Sequence, residues 1–321
     1  MIHSLSVGKR RGLQQCASAR GAFTALALDH RQNLRHALNP SAPDSVSDAE
    51  LTAFKLEVTR ALAPAATAVL LDPEYSVAQA IASGDLPGDK GLVVAAEATG
   101  YTGNSAARQS RLLDGWSVAK AKRMGASMVK LLVYYHPDSA TTAEIESFVK
   151  QVAADCAASD LALMLEPLSY SLNPAEKKLS PAERRRVVVE TARRLMLPGV
   201  DLLKAEFPAE ATDEGEWAGA CAELSAACPG PWIVLSAAVD FETYLRQVRL
   251  ACEAGASGIA VGRAVWKEAV SLTSEARTHF LREVALPRLA RLTSLCNALA
   301  RPWTDFYEAP SIDSKWYASY Q

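Results

Sequence analysis

The chain has 321 residues, of which 49% are hydrophobic and 22% charged, with a net charge of −2. This is the composition of a globular protein with a sizeable core, and its charge balance excludes a general attraction to nucleic acid or to anionic membrane. No apolar run reaches transmembrane length and the first eleven residues lack the apolar stretch of a secretory signal, so a cytoplasmic protein is expected.

The first strand is expected over 22–28, after a short helix near 11–20, and it ends in Asp29-His30-Arg31. A polar loop over 39–48 leads to a helix over 49–62. The second strand, from Ala68, is stopped at Asp72-Pro73-Glu74 and followed by a short helix over 77–83. The third, 91–96, ends at Glu97 and opens into a Gly/Thr/Asn-rich loop over 98–105. A helix over 114–123 precedes the fourth strand, 126–135, which carries Lys130. Residues 141–158 have helical spacing, and the fifth strand, 161–166, is expected to end at Pro167.

Ser180-Pro181-Ala182-Glu183 combines an N-cap, a proline at the first helical position and a glutamate at the third, which is a strong helix start. That helix runs to about Leu195, and the sixth strand is Asp201-Leu-Leu-Lys204-Ala-Glu206. A helix over 214–227, a seventh strand over 232–236 and a helix over 240–254 follow. The eighth strand is Gly258-Ile-Ala-Val-Gly262-Arg263, with helices over 265–270 and 275–299 after it. The aromatic tail from Arg301 is expected to pack across the fold or against a partner subunit.

Eight strand-plus-helix units with short links predict a single-domain α/β protein, a (β/α)8 TIM barrel. A doubly wound sheet is the alternative, but it usually carries a glycine fingerprint after its first strand, where this chain has Asp29-His30-Arg31. The six cysteines show no C-x-x-C and no nearby histidine at metal spacing, so a reducing compartment and no structural metal are expected.

Chemistry in such barrels sits at the C-terminal ends of the strands. Those ends supply Asp29 and Arg31, Asp72 and Glu74, Glu97, Lys130, Glu166, Lys204 and Glu206, Ser236, and Gly262 with Arg263. Lys130, Glu166 and Lys204 fall on consecutive strands, which lie about 4.8 Å apart, so the three can converge on one small substrate. A buried lysine must be paired or neutral. Lys204 is therefore either half of a structural ion pair or an amine able to attack a carbonyl carbon, activated by the second ammonium at Lys130. Glu166 between them is placed to move protons, and Asp29 is a second candidate acid or base. The plainer alternative pairs Lys204 with Glu166 and Lys130 with Glu206.

After the seventh and eighth strands many barrels build a phosphate site. Ser236 offers a hydroxyl there, Gly262 permits close backbone approach, and Arg263 brings a fork of donors. At the other rim His30 and Arg31, with Lys177 and Lys178 in the long loop after the fifth strand, are expected to hold a second anion.

Taken together, Ala25-Leu-Ala-Leu-Asp29-His-Arg31, Leu70-Leu-Asp-Pro-Glu74-Tyr75, Thr99-Gly-Tyr101, Val129-Lys130-Leu-Leu-Val-Tyr-Tyr, Leu165-Glu166-Pro-Leu-Ser-Tyr170, Val200-Asp-Leu-Leu-Lys204-Ala-Glu206 and Gly262-Arg263-Ala resemble the class I tagatose-1,6-bisphosphate aldolases. The related sulfofructose-phosphate aldolases share the last segments. The resemblance spans about residues 20–306 and implies Schiff-base chemistry without metal or other cofactor, a sugar-phosphate substrate and dihydroxyacetone phosphate as a product. It matches Lys204 to the Schiff-base lysine, Lys130 and Glu166 to its supporting lysine and proton-transfer glutamate, and Ser236 and Arg263 to binders of the ketose 1-phosphate. Those aldolases tend to have Gln-Arg after the first strand, where this chain has His30-Arg31, so the far end of the sugar is the point of departure. A homo-oligomer is expected. Two other readings compete, a sulfofructose-1-phosphate aldolase and a sugar-phosphate-binding regulator without turnover.

Overall fold

Eight parallel strands close into a barrel in the computed structural model, which describes residues 3–176, 178–318 and 320. We number the barrel strands β1 (Phe23–Ala27), β2 (Ala68–Leu71), β3 (Gly91–Ala95), β4 (Met128–Tyr134), β5 (Ala162–Leu168), β6 (Leu202–Ala205), β7 (Trp232–Leu235) and β8 (Gly258–Val261). Each strand pairs with its neighbours in sequence, and β8 returns to β1 with Gly258 opposite Phe23 and Val261 opposite Leu26. The barrel expected from the alternating units is therefore the fold.

Period-two alternation divides the apolar residues between two cores. Phe23, Ala25, Leu70, Met128, Met164 and Ile233 belong to the cluster that fills the barrel. Leu26, Val69, Val129, Leu163, Leu203 and Val234 face the other way and pack with the surrounding helices. Continuing the inward series upward along each strand brings Asp29, Glu97, Lys130, Glu166 and Lys204 to the C-terminal rim.

The opposite end is plugged. The first helix, Val7–Cys16, starts at Ser6, whose hydroxyl accepts from the Lys9 amide, and so begins earlier than the 11–20 expected from pattern. Tertiary contact decides this: a Cβ on Gly12 would lie 2.1 Å from the Ser127 carbonyl oxygen, so the glycine lets the helix lie close against the barrel floor. Lys9 donates to Asp201 at 2.8 Å, and the Asp201 carboxylate also accepts from the Leu163 amide at 2.9 Å. The tail closes over this pair, with the Tyr307 hydroxyl donating to the Asp201 carbonyl at 2.7 Å and His3–Ser4 pairing with Tyr307–Glu308. Trp303 is buried beneath it. The tail thus packs across the barrel end.

Four local expectations change. Pro167 lies inside β5 opposite Val133, and the missing N–H breaks no ladder because pairing with β6 has already ended at Leu165. The loop over 98–105 contains half of a hairpin, Thr102–Asn104 against Ala107–Gln109. A helix at Gln32–Leu38, unmarked by strong periodicity, follows His30 and Arg31. The long helix over 275–299 is interrupted by a π-helical stretch, Leu281–Ala285, just before Pro287, which lacks the N–H that a regular α-helix would use. All six cysteines are free and buried.

Candidate active site

A cavity of about 320 Å³ opens at the C-terminal ends of the strands. Asp29, His30, Arg31, Lys130, Glu166, Lys204, Ser236, Gly262 and Arg263 all line it. Nine of the residues singled out from sequence are thus brought together in one place.

Two lysines share one carboxylate. Lys204 Nζ lies 2.9 Å from Glu166 Oε1, and Lys130 Nζ lies 2.9 Å from Glu166 Oε2. Lys130 is further held by Asp29 at 2.6 Å and by Glu97 at 2.7 Å. The plain pairing scheme is half right: Lys204 does meet Glu166, but Glu206 is taken by Arg184 at 3.3 Å and by the Ser169 amide at 2.7 Å.

This arrangement separates the two lysines electrostatically. Burial pulls the Lys130 ammonium toward neutrality, but Asp29, Glu166 and Glu97 more than offset it and hold its pKa well above the ordinary lysine value. Lys130 is a fixed cation. Burial likewise opposes ionisation of Glu166, and the fields of Lys130 and Lys204 reverse it, leaving that carboxyl below its usual range. Asp29 follows the same pattern, with burial outweighed by Lys130 and Lys204, and lies well below the carboxylate norm. Glu166 Oε2 is buried and accepts no well-directed hydrogen bond, despite its proximity to Lys130. An ionised carboxylate oxygen with spare acceptor capacity is what proton abstraction from a substrate hydroxyl requires.

Sequence reasoning placed Glu97 at a strand end and assigned it no role. Its Oε1 meets Lys130, its Oε2 accepts from the Leu132 amide at 3.0 Å, and its carbonyl accepts from Arg31 at 2.6 Å. Its place at the end of β3 was the available signal. Asp72 moves the other way. It points at Lys55, with which it forms an ion pair fully buried on both sides, and at the Ser76 hydroxyl, away from the cavity. Glu74 pairs with Arg31 at 2.5 Å.

Arg31, expected from its position to hold an anion, lines the cavity with its charge already engaged. It is buried, and its guanidinium is engaged by Glu74 and Glu97. Of the two loop lysines expected to assist it, Lys178 is exposed and Lys177 lies outside the described residues. His30 sits edge-on to Trp266, with ring centroids 5.4 Å apart, and its buried Nδ1 has no hydrogen-bond partner. Burial, helped by Arg263 and Lys204 against the pull of Asp29, drives its pKa down to about 3, so it is a neutral imidazole.

The corner after β7 and β8 is built from backbone. Ala237 and Ala238 have φ of 44° and 62°, two left-handed residues in succession that curl the chain directly after Ser236. The Ser236 hydroxyl accepts from the Gly262 amide at 3.5 Å. A Cβ at Gly262 would lie 3.0 Å from the Ala27 carbonyl oxygen and 3.1 Å from the His30 ring, so a side chain there would crowd the wall. The Arg263 side chain makes no ion pair or hydrogen bond among the described residues. Its charge is left for something else. No group of three or more His, Cys, Asp or Glu is placed to hold a metal ion among the described residues.

Comparison with known proteins agrees with this geometry. Residues 23–268 match the profile of the DeoC/LacD family aldolases. A tagatose 1,6-diphosphate aldolase from Streptococcus agalactiae is 30% identical over 94% of this chain and 99% of its own length. Another from Staphylococcus aureus is 31% identical over 94% of this chain and 98% of its own. An archaeal fructose 1,6-bisphosphate aldolase structure, 22% identical, superposes with a TM-score of 0.61 over 91% of this chain and 99% of its own, and shares the barrel. The chain belongs to the DeoC/LacD family of aldolases.

Proposed function

We propose that the protein is a class I aldolase that reversibly cleaves a phosphorylated ketohexose, tagatose 1,6-bisphosphate, to dihydroxyacetone phosphate and glyceraldehyde 3-phosphate. One observation carries the mechanism: Lys204 and Lys130 meet opposite oxygens of Glu166, and only Lys130 is enclosed by three carboxylates. Lys204 is the nucleophile and Lys130 the permanent cation. The names of the relatives from Streptococcus and Staphylococcus support the choice of sugar.

The Lys204 amine adds to the C2 carbonyl, and loss of water leaves an iminium. Glu166 takes the proton of the C4 hydroxyl as the C3–C4 bond breaks. The bonding pair moves into the iminium, giving an enamine on Lys204 and a free aldehyde. Protonation of the enamine carbon and hydrolysis then release dihydroxyacetone phosphate and restore the amine. Lys130 and Asp29 orient the hydroxyls, and Ser236, the Gly262 amide and Arg263 hold the 1-phosphate.

The chain acts as one domain, a reading supported by the pairing of His3–Ser4 with Tyr307–Glu308 at its two ends. Six unpaired, buried cysteines support a reducing cytoplasmic location. Exposed Ile312, Trp316 and Tyr317 support assembly as a homo-oligomer.

The test is borohydride reduction with dihydroxyacetone phosphate, followed by peptide mass spectrometry. An adduct on Lys204 is expected. An adduct on Lys130 would reverse the two roles, and full activity with no adduct would remove the Schiff-base mechanism.

A further inference from the structure

Arg108 lies on the hairpin that follows β3. Its guanidinium carbon is 4.5 Å from the ring centroids of Tyr101 and Tyr170 and 5.3 Å from that of Tyr134. The rings come from three places: the loop after β3, the end of β4 and the loop after β5. Aromatic faces hold a guanidinium in place without neutralising it.

The backbone is anchored as well. The Arg108 amide donates to the Tyr170 hydroxyl at 3.4 Å, and its carbonyl accepts from Thr141 at 3.0 Å. Tyr170 in turn donates to Ser139 at 2.8 Å. The side chain donates from Nε to the Ser105 carbonyl at 3.1 Å. Neither Nη group has a hydrogen bond among the described residues, and no described carboxylate is within ion-pair distance. Arg108 is a preorganised cation with its outer donors unused.

Position gives this a meaning. In the closed ring of eight strands, β4 stands four places from β8 and therefore opposite it. Tyr134, on which Arg108 stacks, ends β4 and lines the cavity, while Arg263 directly follows β8 and lines its other side. Arg108, set behind the lining residue Tyr134 on the β4 side, and Arg263 on the β8 side are thus two guanidiniums without carboxylate partners, with Lys130, Glu166 and Lys204 in the cavity between Tyr134 and Arg263. Arg31, the other arginine at the rim, is neutralised by Glu74 and Glu97.

We propose that Arg108, with the hydroxyls of Tyr101 and Tyr134, binds the anionic group at the end of the substrate remote from Arg263, a phosphate or sulfonate with three acceptor oxygens. Burial, against the opposing pull of Arg108 and Lys130, keeps the Tyr134 phenol above its ordinary value, so it is a donor. The proposal rests on the aldolase reading and deepens it, because it says where substrates with two anions are told from those with one.

The experiment compares kcat/KM of the full chain and of Arg108→Met on tagatose 1,6-bisphosphate, sulfofructose 1-phosphate and tagatose 1-phosphate. The ratio of two-anion to one-anion efficiency is expected to fall about ten- to hundred-fold in the variant, the loss of a charge-assisted contact. Arg108→Lys should recover part of that ratio, because it keeps the charge and loses the planar fork. A drop confined to the bisphosphate or to the sulfonate names the source of the anion. An unchanged ratio overturns the proposal, including the case in which a loosened hairpin lowers all three efficiencies together. Wild-type protein that cleaves tagatose 1-phosphate as well as the two-anion substrates overturns it too, while a Lys204 adduct would leave the aldolase reading intact. Wild-type protein with neither turnover nor adduct overturns both.

Discussion

Lys204 and Lys130 contact opposite oxygens of the same carboxylate, each at 2.9 Å. Chemically similar groups are thereby given different duties by their other neighbours. Lys130 has two more carboxylates, Asp29 and Glu97, and Lys204 has none among the described residues. Replacing Lys204 with methionine is expected to lower kcat by at least about a thousandfold and to abolish the borohydride adduct. Lys130→Met should still allow an adduct, formed more slowly. An adduct that persists in Lys204→Met would show another nucleophile.

Glu166→Gln should lower kcat by about a hundred- to ten-thousandfold, the usual range for losing a general base. Lys130 and Lys204 overcome the effect of burial and hold this carboxyl below its ordinary 4.5, so it stays ionised as the pH falls through that value. The acid limb of kcat/KM in the wild type is therefore expected below 4.5. A limb near 6 or 7 that disappears in Glu166→Gln would contradict the assignment.

Arg263→Ala is expected to raise KM for phosphorylated ketoses about ten- to hundred-fold, since a charge-assisted phosphate contact contributes about 1.5–3 kcal/mol. Because Arg263 has no ion pair to lose among the described residues, its melting temperature should shift little. A large fall in melting temperature with unchanged KM would make the residue structural.

His30 predicts a dependence of stability on pH. Its folded pKa of about 3 lies below the unfolded 6.5, chiefly because of burial. The stability linked to keeping it neutral is present above 6.5 and is lost as the pH falls toward about 3, because only the unfolded chain takes up the proton. Between pH 7 and pH 5 the loss is about 2 kcal/mol. Urea unfolding at both values should show that His30→Gln loses less stability than the wild type over this interval. Equal losses would mean that His30 titrates in the folded protein.

Lys55 and Asp72 are both fully buried, and the lysine pKa is lowered mainly by that burial. Removing one partner of such a pair costs about 3–5 kcal/mol. Lys55→Met is expected to show that loss in chemical unfolding, with kcat per folded molecule unchanged. Adding Asp72→Asn should restore at least half of it, because the asparagine oxygen can still accept from the Glu74 and Tyr75 amides, now at 3.0 and 2.8 Å, without a buried charge. Failure of the double variant to recover would assign the cost to packing.

The sequence by itself determined the barrel and the membership of its rim. Eight apolar runs alternating with helical spacing admit few topologies, and right-handed connections between neighbouring parallel strands leave the closed ring. Period two then decides which residue of each strand end faces inward, which is why Asp29, Lys130, Glu166 and Lys204 were legible as one site. The start of the helix at Pro181 was equally local, because Ser180, Pro181 and Glu183 carry its cap within four residues.

The tertiary structure decided who pairs with whom. Arg31 is engaged by Glu74 and Glu97, which lie 43 and 66 residues along the chain, and no local pattern reports that its charge is already used. Asp72 reads like a site residue until Lys55, on the helix before it, is folded against it. Glu97 gains its place only when β3 and β4 are side by side. Arg108 sits in a stretch that reads as loop, and becomes a candidate binder only when three tyrosines from two loops and the end of β4 close around it. Backbone pattern is a short-range property, whereas charge compensation is a property of everything within a few ångströms, and folding brings together groups that the chain keeps far apart.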